Sequence, residues 1–158
     1  MRLAYRSAYW AARIWWFIRR PQTFGAVVAL WSDGRILLVQ ASYRRCYALP
    51  GGFMKRGETA RDAASRELAE ELQLFIPPDA LTLGWHGSRR FESREDTVTI
   101  WEIVLDAPPP LRVDGRELVW AGWKTPAERV PCDSYPTFRT TLRAVEDTSG
   151  SARALEPH

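Results

Sequence analysis

Gly51-Gly52-Phe53-Met54-Lys55-Arg56-Gly57-Glu58, followed after seven residues by Arg66-Glu67-Leu68-Ala69-Glu70-Glu71, is the stretch on which the reading of this chain turns. It sets a loop with three glycines directly before a segment carrying three carboxylates in five positions. On a helix, at about 100° per residue, Glu70 and Glu71 lie about 300° and 400° on from Glu67, so all three share an arc of about 100°. Like charges on one helix face repel by a few tenths of a kcal/mol per pair. A divalent cation removes that penalty and turns the cluster into a site. Carboxylates are hard oxygen ligands, which points to magnesium or manganese rather than zinc. The glycines let backbone amides and carbonyls approach a metal or a phosphate closely.

These residues resemble the Nudix hydrolase signature: Gly, five residues, Glu, seven residues, then Arg-Glu-apolar-any-Glu-Glu-any-Gly-apolar. Gly52, Glu58, Arg66, Glu67, Leu68, Glu70, Glu71 and Leu74 occupy its fixed positions. The one departure is Gln73, where the family usually has glycine to end the helix in a left-handed conformation. Gln adopts that conformation at a cost of roughly 1 kcal/mol, so the helix is expected either to run on or to close differently.

The resemblance implies a Nudix α/β/α sandwich with a mixed sheet. It also implies a MutT-like enzyme that cleaves a nucleoside diphosphate linked to another moiety, by water attack at phosphorus with Mg2+ or Mn2+. By the same resemblance Glu58, Glu67, Glu70, Glu71 and the backbone carbonyl of Gly51 face the metal. Arg66, four residues before Glu70, is placed to orient a carboxylate. The general base is Glu67 within the signature or Glu117, whose place before a strand resembles the downstream acid of MutT-type members. Lys55 and Arg56 are candidates for binding substrate phosphates. The markers that set apart subfamilies for ADP-ribose, dinucleoside polyphosphates, coenzyme A or NADH are missing; Ser88-Arg89-Arg90-Phe91 offers neither the proline nor the tyrosine expected there. Three products of this fold stay open: a hydrolase, a nucleotide-binding module without turnover, and a membrane-associated hydrolase of isoprenoid or lipid diphosphates.

A chain of 158 residues suits one domain with a sizeable core. Its net charge of +3 is compatible with polyanionic small molecules but does not single out nucleic acid, so no nucleic-acid partner is expected. Cys46 and Cys132 show neither metal-ligand spacing nor a CxxC pair, which predicts reduced cysteines in the cytoplasm, with Cys46 in a packing role.

Three segments follow from the pattern. Residues 1–21 form a leader with five arginines, no acid and six aromatic residues. On a helix Arg2, Arg6, Arg13 and Arg20 make one narrow basic stripe, and Pro21 ends it. This extra amphipathic helix fits packing on the domain or on a second copy as a homodimer. It also fits peripheral contact of residues 1–20 with an anionic membrane, or organelle targeting. Residues 22–148 hold the hydrolase domain, with strands expected at 24–31, 35–41, 47–50, 81–91, 97–105 and 118–123. Helices are expected at 59–72 and 137–145. Glu92, Glu95 and Asp96 read as a solvated hairpin tip, His86 as structural, and 149–158 as a disordered tail.

Overall fold

The computed structural model describes residues 22–44, 46–91, 94–113, 115, 117–125 and 128, with side chains left out at 89–94. The leader, the helix expected at 137–145 and the tail lie outside the described residues.

The chain begins with a hairpin. Strand β1 (Gln22–Ser32) turns at Asp33-Gly34 into β2 (Arg35–Ala41). Both turn residues have positive φ, 51° and 68°, the geometry that matches the twist of a two-residue hairpin loop. The two strands pair at Trp31↔Ile36 and Ser32↔Arg35 and then separate. Each finds other partners beyond the turn. β1 takes β6 (Arg94–Val104) in parallel from Gln22↔Glu95 to Trp31↔Val104, and β5 (Thr82–Phe91) adds antiparallel to β6. β2 takes the short β3 (Tyr47–Ala48) and β7 (Leu118–Lys124), both antiparallel. The gap left by the diverging hairpin is where the site forms.

One difference from expectation matters here. The first residues of the glycine stretch are themselves a strand, β4 (Gly51–Phe53), paired with β1 at Gly25↔Phe53, Ala26↔Gly52 and Val27↔Gly51. Local sequence reads as loop because it contains two glycines. Backbone pairing does not need side chains, and here it needs their absence: a Cβ on Gly51 would strike the Ala26 carbonyl and the Val27 Cα, and its φ is +136°.

Helix α1 (Ala60–Leu72) follows within a few residues. Thr59 caps it by accepting the Asp62 amide at 3.1 Å. At its end Gln73 adopts the left-handed conformation (φ 56°, ψ 31°) after all, with its amide on the Ala69 carbonyl. The helix therefore closes where a glycine would have closed it. Ala63, Ala64, Leu68 and Leu72 point into the sheet and pack among Leu30, Leu37, Val39 and Trp101. The opposite sheet face buries Ala29, Ile36, Leu38 and Ile100, with Trp85 and Trp120 against them. A mixed sheet apolar on both faces is the core of the α/β/α sandwich expected from the resemblance. His86 holds Thr99 Oγ1 at 2.9 Å in a structural role. Asp96 is not at a solvated tip: it is 6% exposed and accepts the Thr23 hydroxyl at 2.7 Å. Among the described residues no helix is long and apolar enough to cross a membrane.

Leu68 is fully buried at the centre of the α1–sheet contact. Leu68→Ala should lower the free energy of unfolding in urea by about 2–5 kcal/mol.

Candidate active site

α1 presents Arg66, Glu67, Glu70 and Glu71 toward β4, and the guanidinium of Arg66 is the centre of the arrangement. Its Nε and Nη2 donate to the two oxygens of Glu58 at 2.7 and 3.0 Å, a bidentate pair that a planar fork makes and an ammonium cannot. Nη1 donates to Glu67 Oε1 at 2.7 Å and to Glu70 Oε2 at 3.2 Å. Nη2 also reaches the Phe53 carbonyl at 3.1 Å. One cation thus fixes three glutamates and the end of β4. Glu58 also accepts the Lys55 amide at 2.8 Å. Its carboxyl is held down to about 2, first by the Arg66 hydrogen bonds and then by that amide.

Glu67 differs from its neighbours. Its side chain is 15% exposed, and burial pushes its carboxyl up, opposed by Arg66 and reinforced by the nearby charges of Glu70 and Glu117. A Cβ on Gly52 would sit 2.6 Å from Glu67 Oε1, so glycine at that position is what lets the carboxylate lie against the strand. Glu71 accepts the Gly51 amide at 2.9 Å, which ties the far side of α1 to the same two residues. The spacing of glycines and glutamates in sequence is therefore the spacing of one strand against one helix turn.

Gly51, Gly52, Arg66, Glu67, Glu70 and Glu71 line one side of a cavity of about 540 Å³ that runs into the gap between β1 and β2; Glu58 lies outside the lining. Val27, Val39, Val98 and Ile100 supply an apolar interior, and Tyr43, Arg44, Tyr47 and Phe53 stand along the wall. Glu117 lines it as well, although it lies 46 residues beyond Glu71 in the chain. The β2–β7 ladder shifts register between Gln40 and Ala41, pairing Gln40 with Trp120 and Ala41 with Leu118. Such a bulge re-aims the chain that carries it. The Glu117 carbonyl accepts the Ser42 amide at 2.7 Å, and its side chain accepts the Tyr43 hydroxyl at 3.1 Å. Burial, and then the Glu117 carboxylate, raise the Tyr43 phenol above its ordinary value, which keeps it a hydrogen-bond donor.

Of the expected phosphate-binding cations, Lys55 lines the cavity and pairs with Glu70 at 3.2 Å; Arg56 is exposed and outside the lining. Sequence reasoning missed Tyr43. An aromatic residue in a short link after a strand carries no signal of its own until its partner is known. Cys46 also lines the cavity and is disulfide-bonded, not the reduced packing cysteine expected; the chain's other cysteine, Cys132, lies outside the described residues.

Among the described residues no three acidic, histidine or cysteine side chains stand ready to share one ion. Arg66 explains this, because it occupies an oxygen of Glu67 and another of Glu70 as their counter-charge. The donor set still fits a hard divalent cation: three carboxylates and the backbone of Gly51 at one helix face, with no softer ligand among them. For Glu70 to present its Oε1 to an ion, its pair with Lys55 would have to open. The two side chains are 63% and 54% exposed, and exposed pairs are worth about 0–1 kcal/mol.

The depressed Glu58 carboxyl has a consequence for stability. A group whose pKa falls on folding stabilises above its unfolded value and loses that contribution as pH drops through its folded value. Glu58→Gln should therefore lower the melting temperature of metal-free protein most above pH 4.5, and the gap should close as pH approaches 2. Melting curves of both proteins across that range check it.

With the geometry in hand, comparison places the chain among known proteins. A family model for the NUDIX domain matches residues 19–139. An ADP-ribose pyrophosphatase of Methanocaldococcus jannaschii is 38% identical over 77 residues, which cover 47% of this chain and 44% of that protein. The chain thus spans less than half the length of that curated relative. Among solved structures, a MutT NUDIX hydrolase from Burkholderia pseudomallei superposes with a TM-score of 0.66 at 24% identity, covering 78% of this chain and 98% of the other. A C. elegans Ap4A hydrolase gives 0.68 at 21% identity, covering 82% and 98%. A domain match that runs over most of the chain, on a sheet and helix that carry the glycines and glutamates described above, makes this protein a member of the NUDIX family.

Proposed function

We propose that this protein is a divalent-metal-dependent pyrophosphohydrolase acting on a nucleoside diphosphate linked to a second moiety. The observation that carries the reading is the continuity of two surfaces: the α1 carboxylates gathered by Arg66 open directly onto the apolar cavity between β1 and β2. A diphosphate is polyanionic and the base of its attached nucleoside offers flat aromatic faces, so a substrate of this class can use both surfaces within one site. ADP-ribose and dinucleoside polyphosphates come first among the substrate classes, because relatives named above carry those activities in their names, and the missing subfamily markers keep nucleoside triphosphates and other nucleotide sugars beside them.

In this reading Glu67, Glu70, Glu71 and the Gly51 carbonyl hold Mg2+ or Mn2+, with Glu58 fixed behind them by Arg66. The bound ion would neutralise diphosphate charge and lower the pKa of the attacking water. Arg66 keeps the carboxylates in register. Lys55, at the mouth, exchanges its exposed contact with Glu70 for a phosphate oxygen. Glu117 is the better of the two candidate bases. Glu67 is paired at 2.7 Å with the Arg66 cation, which opposes its taking up a proton, and lies against Gly52, whereas Glu117 lines the same cavity and accepts the uncharged Tyr43 hydroxyl.

The deciding assay is release of phosphate-containing products from ADP-ribose, diadenosine tetraphosphate, nucleoside triphosphates and isoprenoid diphosphates, with Mg2+ or Mn2+ and with EDTA. Turnover should appear on a nucleotide and vanish in EDTA. Glu70→Gln and Glu71→Gln should each lower kcat by about 10²-fold or more while the melting temperature stays within a few degrees. Full activity in both variants would sink the metal assignment. Silence on the whole panel, with nucleotide binding retained, would identify a binding module instead.

A further inference from the structure

We propose that Tyr43 is a positioning residue for the reaction, its hydroxyl holding the Glu117 carboxylate where it can take the proton of the attacking water. The inference rests on the reading of Glu117 as general base and extends it to a residue outside the signature. Three observations converge on it. The Tyr43 hydroxyl donates to Glu117 Oε1 at 3.1 Å, across 74 positions of sequence, and both side chains line the cavity. The backbone repeats the link one residue away, with the Ser42 amide on the Glu117 carbonyl at 2.7 Å. The bulge between β2 and β7 falls at this same point, between Gln40 and Ala41.

The physical need is plain. Glu117 stands just before β7, beside the point where the β2–β7 ladder shifts register. A general base works only within hydrogen-bond reach of the proton it removes. Tyr43 is itself braced. The Arg44 amide donates to the Ala41 carbonyl at 3.1 Å to close the turn, and the Arg44 guanidinium lies 5.8 Å from the centre of the Tyr43 ring. A phenol is a suitable brace because it has a rigid ring, one donor and no charge to compete with the metal.

The test is a double-mutant cycle of Tyr43→Phe and Glu117→Gln, with kcat and KM measured separately on whichever nucleotide of the panel turns over fastest with Mg2+. Tyr43→Phe should lower kcat about tenfold with KM unchanged, the scale on which supporting groups act. In the Glu117→Gln background it should lower kcat no further, since the base it positions is gone. Melting temperatures of the four proteins separate a loss of packing from a loss of positioning. A Tyr43→Phe effect that multiplies with Glu117→Gln, or that falls on KM alone, would overturn the proposal, as would wild-type kcat in Tyr43→Phe. Wild-type kcat in Glu117→Gln would instead remove the base assignment beneath it, so the two failures are told apart.

Discussion

The hydrogen bonds of the Arg66 guanidinium hold the site together. Three carboxylates on a short helix and its approach loop would repel one another and splay into solvent. With Arg66 among them, Glu58, Glu67 and Glu70 converge at 2.7–3.2 Å from one cation, and the Phe53 carbonyl joins them. The contacts are charge-assisted and mostly shielded, since the Arg66 side chain is 19% exposed and Glu58 and Glu67 are each 15% exposed. The same bonds fasten α1 to β4, so the helix cannot shift along the sheet without breaking the charge centre. Packing by Leu68 and Leu72 sets the distance between helix and sheet, and Arg66 sets the register.

A second constraint shapes the cavity. β1 and β2 are hydrogen-bonded at their turn and then serve different neighbours: β4 and β6 for one, β3 and β7 for the other. A hairpin that stayed paired along its length would leave no room between its strands. The divergence opens an apolar space at the edge of the charged face, and the close approach of β4 to β1 at Gly51 and Gly52 brings that face to its mouth. Glycine acts here by leaving out a side chain. Glu67 lies in the space a Gly52 Cβ would take.

Much of this was legible beforehand, and some was not, for reasons that differ by residue. The α1 glutamates were legible because helical geometry converts a spacing of three and four into a shared face. The helix expected at 59–72 followed from the same periodicity, and the structure adds its Thr59 cap. β4 was hidden because glycines carry no strand signal, and its pairing is decided by β1, about 25 residues away. Gln73 was read as a place where the helix could run on. The tertiary structure holds it in the left-handed conformation, with Leu74 packed into the core beyond it. Asp96 was read as a solvated turn acid and proved buried, because its environment comes from Thr23 on a parallel strand.

The sequence by itself determined the charge chemistry of the site and the elements that carry it. Those depend on contacts within about twenty residues, and local periodicity encodes such contacts. Only the tertiary structure decided which residues meet across longer separations: β4 with β1, Glu117 with Tyr43, and the apolar gap beside them. These meetings depend on how β1 and β2 part and on the bulge that brings residue 117 back to the cavity. Both are set by sheet pairing between distant segments, for which a single sequence carries no distance information.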